Sequence, residues 1–201
     1  MTDHTIGRRA ALGAGTLAAY GRGGDRLHFY EINPLMRSIA QTQFTYICDS
    51  PARVDIALGD ARITMSREVP QNFDILVVDA FSGDAIPVHL LTREAFALYW
   101  RHLKPNGVLA VHVSNRYLKL PPVVELAAQR TGKSAWLVDN GDRDLSEIYA
   151  ASYVLVTSRD GFSTEPLLRG KLQRIHVPPH LREWTDDYSN LWDILDTKTD
   201  R

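Results

Sequence analysis

Residues 73–87 read FDILVVDAFSGDAIP. A nearly unbroken apolar run stops at a carboxylate, Asp79, and passes into a loop holding a second carboxylate, Asp84, and a proline, Pro87. Such a run reads as a strand over 73–79 that is buried on both faces, as in a parallel sheet covered by helices. A carboxylate where a buried strand opens to solvent is suited to hold an ammonium or to accept its proton. The same stretch also suits a solvated turn, with Gly83 and Asp84 as ordinary turn residues.

Working downstream, the spacing predicts a helix over 92–103, with Thr92 as N-cap and Ala95, Phe96, Tyr99 and Leu103 along one face. Pro105-Asn106-Gly107 is read as its end. Strands follow over 108–113, 134–138 and 153–157, with a helix over 122–130 closed by Gly132. Upstream, strands are read over 6–12, 26–31 and 53–58. Helices are read to about Tyr20, over 34–44 with Pro34 in the first turn, and over 61–68. Strands alternating with helices predict an α/β fold with a mostly parallel sheet covered on both faces. In such folds ligands bind outside the carboxyl ends of strands.

The polar residues of interest stand just there. Gly13-Ala14-Gly15 follows the first strand, where small residues let backbone approach a ligand; alone, it is equally a tight turn. Glu31 closes the second strand and is placed to accept from both ribose hydroxyls, or to sit solvated at a strand end. Asp60, after Gly59, would accept from an adenine amino group while Ala61 leaves room for the ring. It is also a natural helix N-cap, and both roles can coexist if the backbone caps and the side chain turns inward. His89, His102, His112, His176 and His180 lack metal-ligand spacing and read as structural or exposed. Tyr117 and Asp139 follow the fifth and sixth strands and face the expected site.

The composition bounds the reading. A chain of 201 residues with 44% hydrophobic content suits one domain with a sizeable core. We divide it into a nucleotide-binding part, 1–160, and a polar extension on the same domain, 161–201. A net charge of −1 disfavours nucleic acid as a partner. Cys48 is the only cysteine, which excludes an intrachain disulfide and a cysteine-rich metal site and fits a cytoplasmic setting. No apolar run approaches the ~20 residues of a membrane span. Arg8-Arg9 before an apolar stretch has the look of a twin-arginine export signal, but the same residues serve as the first strand and glycine turn.

LGAG, FYEINP, LGDAR, FDILVVDAFSGDAIPVHLLTREAF and LKPNGVLAVHVSN, in that order, resemble the spermidine synthase-like (polyamine biosynthesis domain) family over roughly residues 10 to 157. The segment 184–191, WTDDYSNL, resembles the ending of its bacterial members. The resemblance implies a Rossmann-like, class I methyltransferase-like fold with a seven-stranded, mostly parallel sheet. It implies transfer of an aminopropyl group from decarboxylated S-adenosylmethionine to a polyamine such as putrescine, without a metal or prosthetic group, in a homodimer. Gly13 and Gly15 match the nucleotide loop, Glu31 the ribose acid, Asp60 and Ala61 the adenine contact, and Asp79 the catalytic aspartate. Asp84 is the candidate for binding the amine, although it lies five residues from Asp79 where the family spaces its acids by three. The N-terminal β-rich segment of full-length spermidine synthases has no counterpart in residues 1–6, and Arg8 and Arg9 stand where an apolar strand is expected. Alternatives are a methyltransferase using intact S-adenosylmethionine, and a catalytically degenerate nucleotide-binding homologue.

Overall fold

The structure is a computed structural model that describes residues 15–79, 88–115, 117–139 and 151–196. The expected first strand, Gly13, the Arg8-Arg9 pair and Asp84 therefore lie outside the described residues. The chain forms two compact units, residues 1–80 with 98–107 and residues 81–97 with 108–201.

The first unit carries β1 (Arg26–Glu31), α1 (Pro34–Thr42), β2 (Arg53–Leu58), α2 (Ala61–Arg67) and β3 (Phe73–Val78). β1 and β2 match the predicted strands residue for residue. They pair in parallel, with Arg26 opposite Arg53 and Glu31 opposite Leu58. Alternation along β1 sends Leu27 and Phe29 into a core shared with Ala18, Ala40 and Ala52. Asn33 caps α1 by accepting from the Leu35 N–H at 3.0 Å, with Pro34 at the first helical position. The helix ends at Thr42, two residues before the predicted end. The segment after Gly15 is a five-residue 3-10 turn, Thr16–Tyr20.

α3 (Arg93–His102) begins as expected, with the Thr92 hydroxyl accepting from the Ala95 N–H at 3.3 Å. Its far end differs from the sequence expectation. Pro105-Asn106-Gly107 is no separating turn, because β4 (Leu103–His112) starts directly after the helix. Two contacts draw this stretch against β3: Lys104 Nζ lies 2.8 Å from Asp74 Oδ1, and a Cβ on Gly107 would stand 3.0 Å from the Phe73 carbonyl.

The second unit continues with α4 (Pro121–Arg130), β5 (Ser134–Asp139), β6 (Ser152–Thr157) and β7 (Leu172–Gln173). Gly132 closes α4 in the left-handed conformation at φ 67°, while the Lys133 N–H reaches the Ala128 carbonyl at 2.9 Å. Strands β3 to β7 form a five-stranded sheet in the order β3-β4-β6-β5-β7. β6 is antiparallel to both β4 and β5, so those two run parallel to each other; β7 is antiparallel to β5. The described residues thus hold a two-stranded and a five-stranded sheet with four α-helices, a mixed α/β architecture. The two-residue β7 was not anticipated. No helix among the described residues is long and apolar enough to cross a membrane.

The tail is tied down in two places. Residues 185–188 form a tight turn, with the Thr185 N–H donating to the Tyr188 carbonyl at 2.8 Å and Arg182 stacked 4.2 Å over the Tyr188 ring. Farther on, the Lys119 N–H donates to the Ile194 carbonyl at 2.7 Å and the Asp196 N–H to the Tyr117 carbonyl at 2.8 Å. This crossing leaves a cavity of about 350 Å³ lined by Asn115, Tyr117, Leu118, Leu191, Trp192 and Leu195.

Candidate active site

The parallel register of β1 and β2 ends both strands at one level and so brings two predicted residues together. The Glu31 carbonyl accepts from the Gly59 N–H at 2.9 Å, extending the ladder one step past β2. Asp60 follows immediately. Glu31 is only 5% exposed, and its Oε1 accepts from the Asn33 N–H at 2.8 Å. That bond orients the side chain within the bend from β1 into α1. A buried carboxylate held by a backbone donor is a preformed acceptor for neighbouring hydroxyls.

Gly59 has φ 134°, a conformation that side chains rarely adopt, which fits its place at the turn from β2 into α2. Asp60 acts as the N-cap: its Oδ1 accepts from the Ile63 N–H at 2.8 Å, and its carbonyl accepts from the Thr64 N–H at 2.8 Å. The side chain itself does the capping, contrary to the expectation that the backbone would cap and leave the side chain turned inward. An ionised carboxylate has acceptor capacity beyond one such bond, so the cap does not exhaust it. Ala61 opens α2 and is half-buried.

Each of these carboxylates has an isoleucine beside it that the sequence reading missed. Ile32 follows Glu31 and is 70% exposed, and Ile63, bonded to Asp60 through its N–H, is 52% exposed. Large apolar side chains left in solvent beside two hydrogen-bond acceptors suit a flat ligand with polar edges.

Gly15 is buried at φ 75°, and a Cβ there would meet Ile47 Cγ1 at 2.9 Å. Glycine is required for backbone and packing reasons at this point. Asp79 directly follows β3 and is half-buried. The structure therefore bonds the Glu31 carbonyl to Gly59, one residue before Asp60, sets Gly15 in a left-handed turn, and leaves Asp79 at the carboxyl end of its own strand. Asp139 ends β5 and is exposed, and Tyr117 is about half-exposed. Among the described residues no group of three or more His, Cys, Asp or Glu side chains could hold a metal ion.

A second polar cluster lies on the other face of β1, where alternation places His28 and Tyr30. The Tyr30 hydroxyl donates to Glu68 Oε2. His28 Nε2 stands 3.7 Å from Glu68 Oε1, too far for a hydrogen bond, and the ring packs against Tyr30 and Phe73. Burial pulls the His28 pKa below its ordinary 6.5, against the opposing pull of Glu68. Arg101 caps the end of α2, donating to the carbonyls of Met65 at 2.7 Å and Ser66 at 3.2 Å, and His102 Nε2 lies 3.0 Å from the same Met65 carbonyl. Nothing in the local pattern around residues 101 and 102 marks them as serving α2.

Comparison with known proteins bears on the fold and, over part of the chain, on the sequence. No family model matches the chain. A polyamine aminopropyltransferase from Vibrio vulnificus is 36% identical over 84 residues, which is 41% of this chain and 27% of that relative. The chain thus matches little more than a quarter of that protein's length. A probable spermidine synthase from Corynebacterium glutamicum superposes with a TM-score of 0.64 at 20% identity, over 81% of this chain and 59% of the other. Human methyltransferase-like protein 13, in complex with SAH, gives 0.60 at 17% identity, over 77% and 71%. The structural likenesses establish a Rossmann-like, class I methyltransferase-like fold, and over 84 residues the sequence is similar to a polyamine aminopropyltransferase.

Proposed function

We propose, from this likeness to polyamine aminopropyltransferases, that the chain transfers an aminopropyl group from decarboxylated S-adenosylmethionine to a polyamine such as putrescine. The observation that carries the reading is the junction of Glu31 with Gly59-Asp60 at the ends of two paired parallel strands. Glu31 would accept from the ribose hydroxyls and Asp60 from the adenine amino group. Ala61 would leave space for the ring, and Gly13 and Gly15 would let backbone pass the donor. In this reading residues 1–160 hold the nucleotide chemistry and residues 161–201 are an extension on the same domain.

The reaction is a direct displacement. The lone pair of a neutral amine attacks the carbon beside the sulfonium, and the carbon–sulfur bond breaks with its electrons moving to sulfur. Neutral methylthioadenosine leaves. The substrate arrives as an ammonium, and Asp79 is the acceptor for the proton that it must lose to become the attacking neutral amine. Asp84 would attract the second ammonium of a diamine. Much of the rate enhancement would come from holding the two reactants in line.

The test is incubation of the purified protein with decarboxylated donor and a panel of amines, read by mass spectrometry, with intact S-adenosylmethionine as a parallel arm. An aminopropylated amine supports the reading. Binding of the intact donor alone, or methylated product, would replace it with a methyltransferase. Binding of either nucleotide without turnover would indicate a degenerate homologue. Light scattering would test the expected homodimer.

A further inference from the structure

Strand β2 is satisfied along one edge. The Arg53 N–H donates to the Asp25 carbonyl and the Gly59 N–H to the Glu31 carbonyl, both at 2.9 Å. Backbone groups alternate in direction along a strand. Arg53, Asp55 and Ala57 therefore turn theirs toward β1, and Val54, Ile56 and Leu58 turn theirs away. Among the described residues the sheet that holds β2 contains β1 and no other strand. The amide donors and carbonyls of Val54, Ile56 and Leu58 thus stand along an open edge, a template for another extended chain.

A cleft of about 360 Å³ borders that edge. It is lined by residues 54–57, by Ile47, and by Arg37 and Gln41, which lie one turn apart on α1. Arg37 is half-buried, and its guanidinium has no ion-pair or hydrogen-bond partner among the described residues. The acid of the cleft is already engaged: Asp55 Oδ2 lies 3.0 Å from Arg26 Nε and 3.4 Å from Arg53 Nε. His28, the other titratable group of the lining, adds no negative charge. The cleft and its border carry three arginines against one aspartate, so the unspent charge is positive. A half-buried guanidinium beside free backbone donors and acceptors suits a strand that bears carboxylates.

We propose that the open edge of β2 is a docking site for an extended acidic polypeptide segment, which adds as a strand beside Val54, Ile56 and Leu58 and sets a carboxylate against Arg37. The segment's backbone supplies affinity, and the acid that meets Arg37 supplies specificity. A second copy of the chain is a poorer occupant. Val54 and Ile56 pack on the side of the sheet where Ala40 of α1 joins the core. In an antiparallel pairing through the same edge, the second β2 would turn its own Val54, Ile56 and Leu58 to that side and offer Arg37 no acid. All the residues involved belong to the first unit. The proposal is independent of the reaction given above, since none of the carboxylates assigned to donor or amine takes part.

The experiment uses the full chain and two capped hexapeptide probes, one alternating valine with glutamate and one alternating valine with lysine. Anisotropy of labelled peptide reads affinity, and amide hydrogen exchange followed by NMR reads the edge. The glutamate peptide should bind, and the lysine peptide should bind about tenfold more weakly or not at all. Arg37→Gln should weaken the glutamate peptide by about tenfold or more, the scale of a hydrogen bond to a charged group. In wild type, saturating glutamate peptide should slow exchange at the N–H groups of Val54, Ile56 and Leu58 by about tenfold or more. Those of Asp55 and Ala57, already bonded to β1, should be protected with and without it. The exchange readout needs no variant, so it stands even if Arg37→Gln does not fold. Equal binding of the two peptides, no binding of the glutamate peptide at millimolar concentration, or unchanged exchange at the three outward N–H groups would overturn the proposal. Protection of those groups in the free protein that fades on dilution would give the edge to a second copy, and would overturn it too.

Discussion

At the residue scale the proposed chemistry rests on three carboxylates with separable roles. Glu31→Gln keeps the shape and leaves an acceptor oxygen for the Asn33 N–H, but removes the charge that strengthens bonds from two hydroxyls. We expect nucleotide affinity to fall by about ten- to a hundredfold, matching the ~1.5–3 kcal/mol of a hydrogen bond to a charged group, with little change in Tm. Titration calorimetry reads the first and a melt the second. Asp60 caps α2 and, in the proposed reading, also accepts from adenine, two roles that substitution can divide. Asp60→Ala should lose about 1 kcal/mol of stability through the missing cap as well as nucleotide affinity. Asp60→Ser should retain the cap to the Ile63 N–H and lose only the affinity. Asp79→Asn is expected to leave donor binding intact and lower turnover by about a hundredfold or more, the usual share of a general base. Equal turnover in that variant would remove Asp79 from the mechanism. The positions of Glu31 and Asp60 were legible in the sequence because the first ends one short apolar strand and the second stands one glycine past another. Ile32 and Ile63 were not singled out, since an exposed isoleucine looks like any core residue until its burial is known.

At the scale of elements, β1 shows how one strand serves two purposes. One face packs Leu27 and Phe29 into the core, and the other carries His28 and Tyr30 toward Glu68 at the end of α2. Burial favours the neutral His28 ring, so its folded pKa lies below 6.5. The unfolded chain then binds the proton more readily than the native one. This contribution to stability is complete above the ordinary value and is lost as pH falls through the window beneath it. Urea melts at a series of pH values should show stability declining below about pH 6.5 more steeply in wild type than in His28→Phe. A parallel decline in both would place the acid sensitivity elsewhere. Strands were the most readable elements: β1 and β2 agree with their predicted ends because charged or glycine residues bracket short apolar runs. The end of α3 was misread because Pro105-Asn106-Gly107 has the composition of a turn. The Lys104–Asp74 pair and the close approach of Gly107 to Phe73, which make it strand, join residues far apart in sequence.

At the scale of the whole molecule, the fold was legible in outline because alternating strands and helices limit the topologies available. Less legible was the antiparallel entry of β6 between β4 and β5, since a register depends on partners that no local pattern names. The tail was the least readable part. Trp184 to Tyr188 carries little periodicity, and its meaning lies in bonds to Thr92, Arg93 and Glu94. The same tail has an optical consequence. Of the four tryptophans, Trp184 and Trp136 are 1% and 7% exposed and Trp100 is half-buried, whereas Trp192 is 82% exposed beside the cavity formed by Tyr117, Leu118 and Leu195. Iodide should therefore quench the red-shifted share of the emission, and Trp192→Phe should abolish most of that quenching. The native chain thus carries its own fluorophore on the tail crossing, able to report by colour and intensity when anything settles over that apolar hollow.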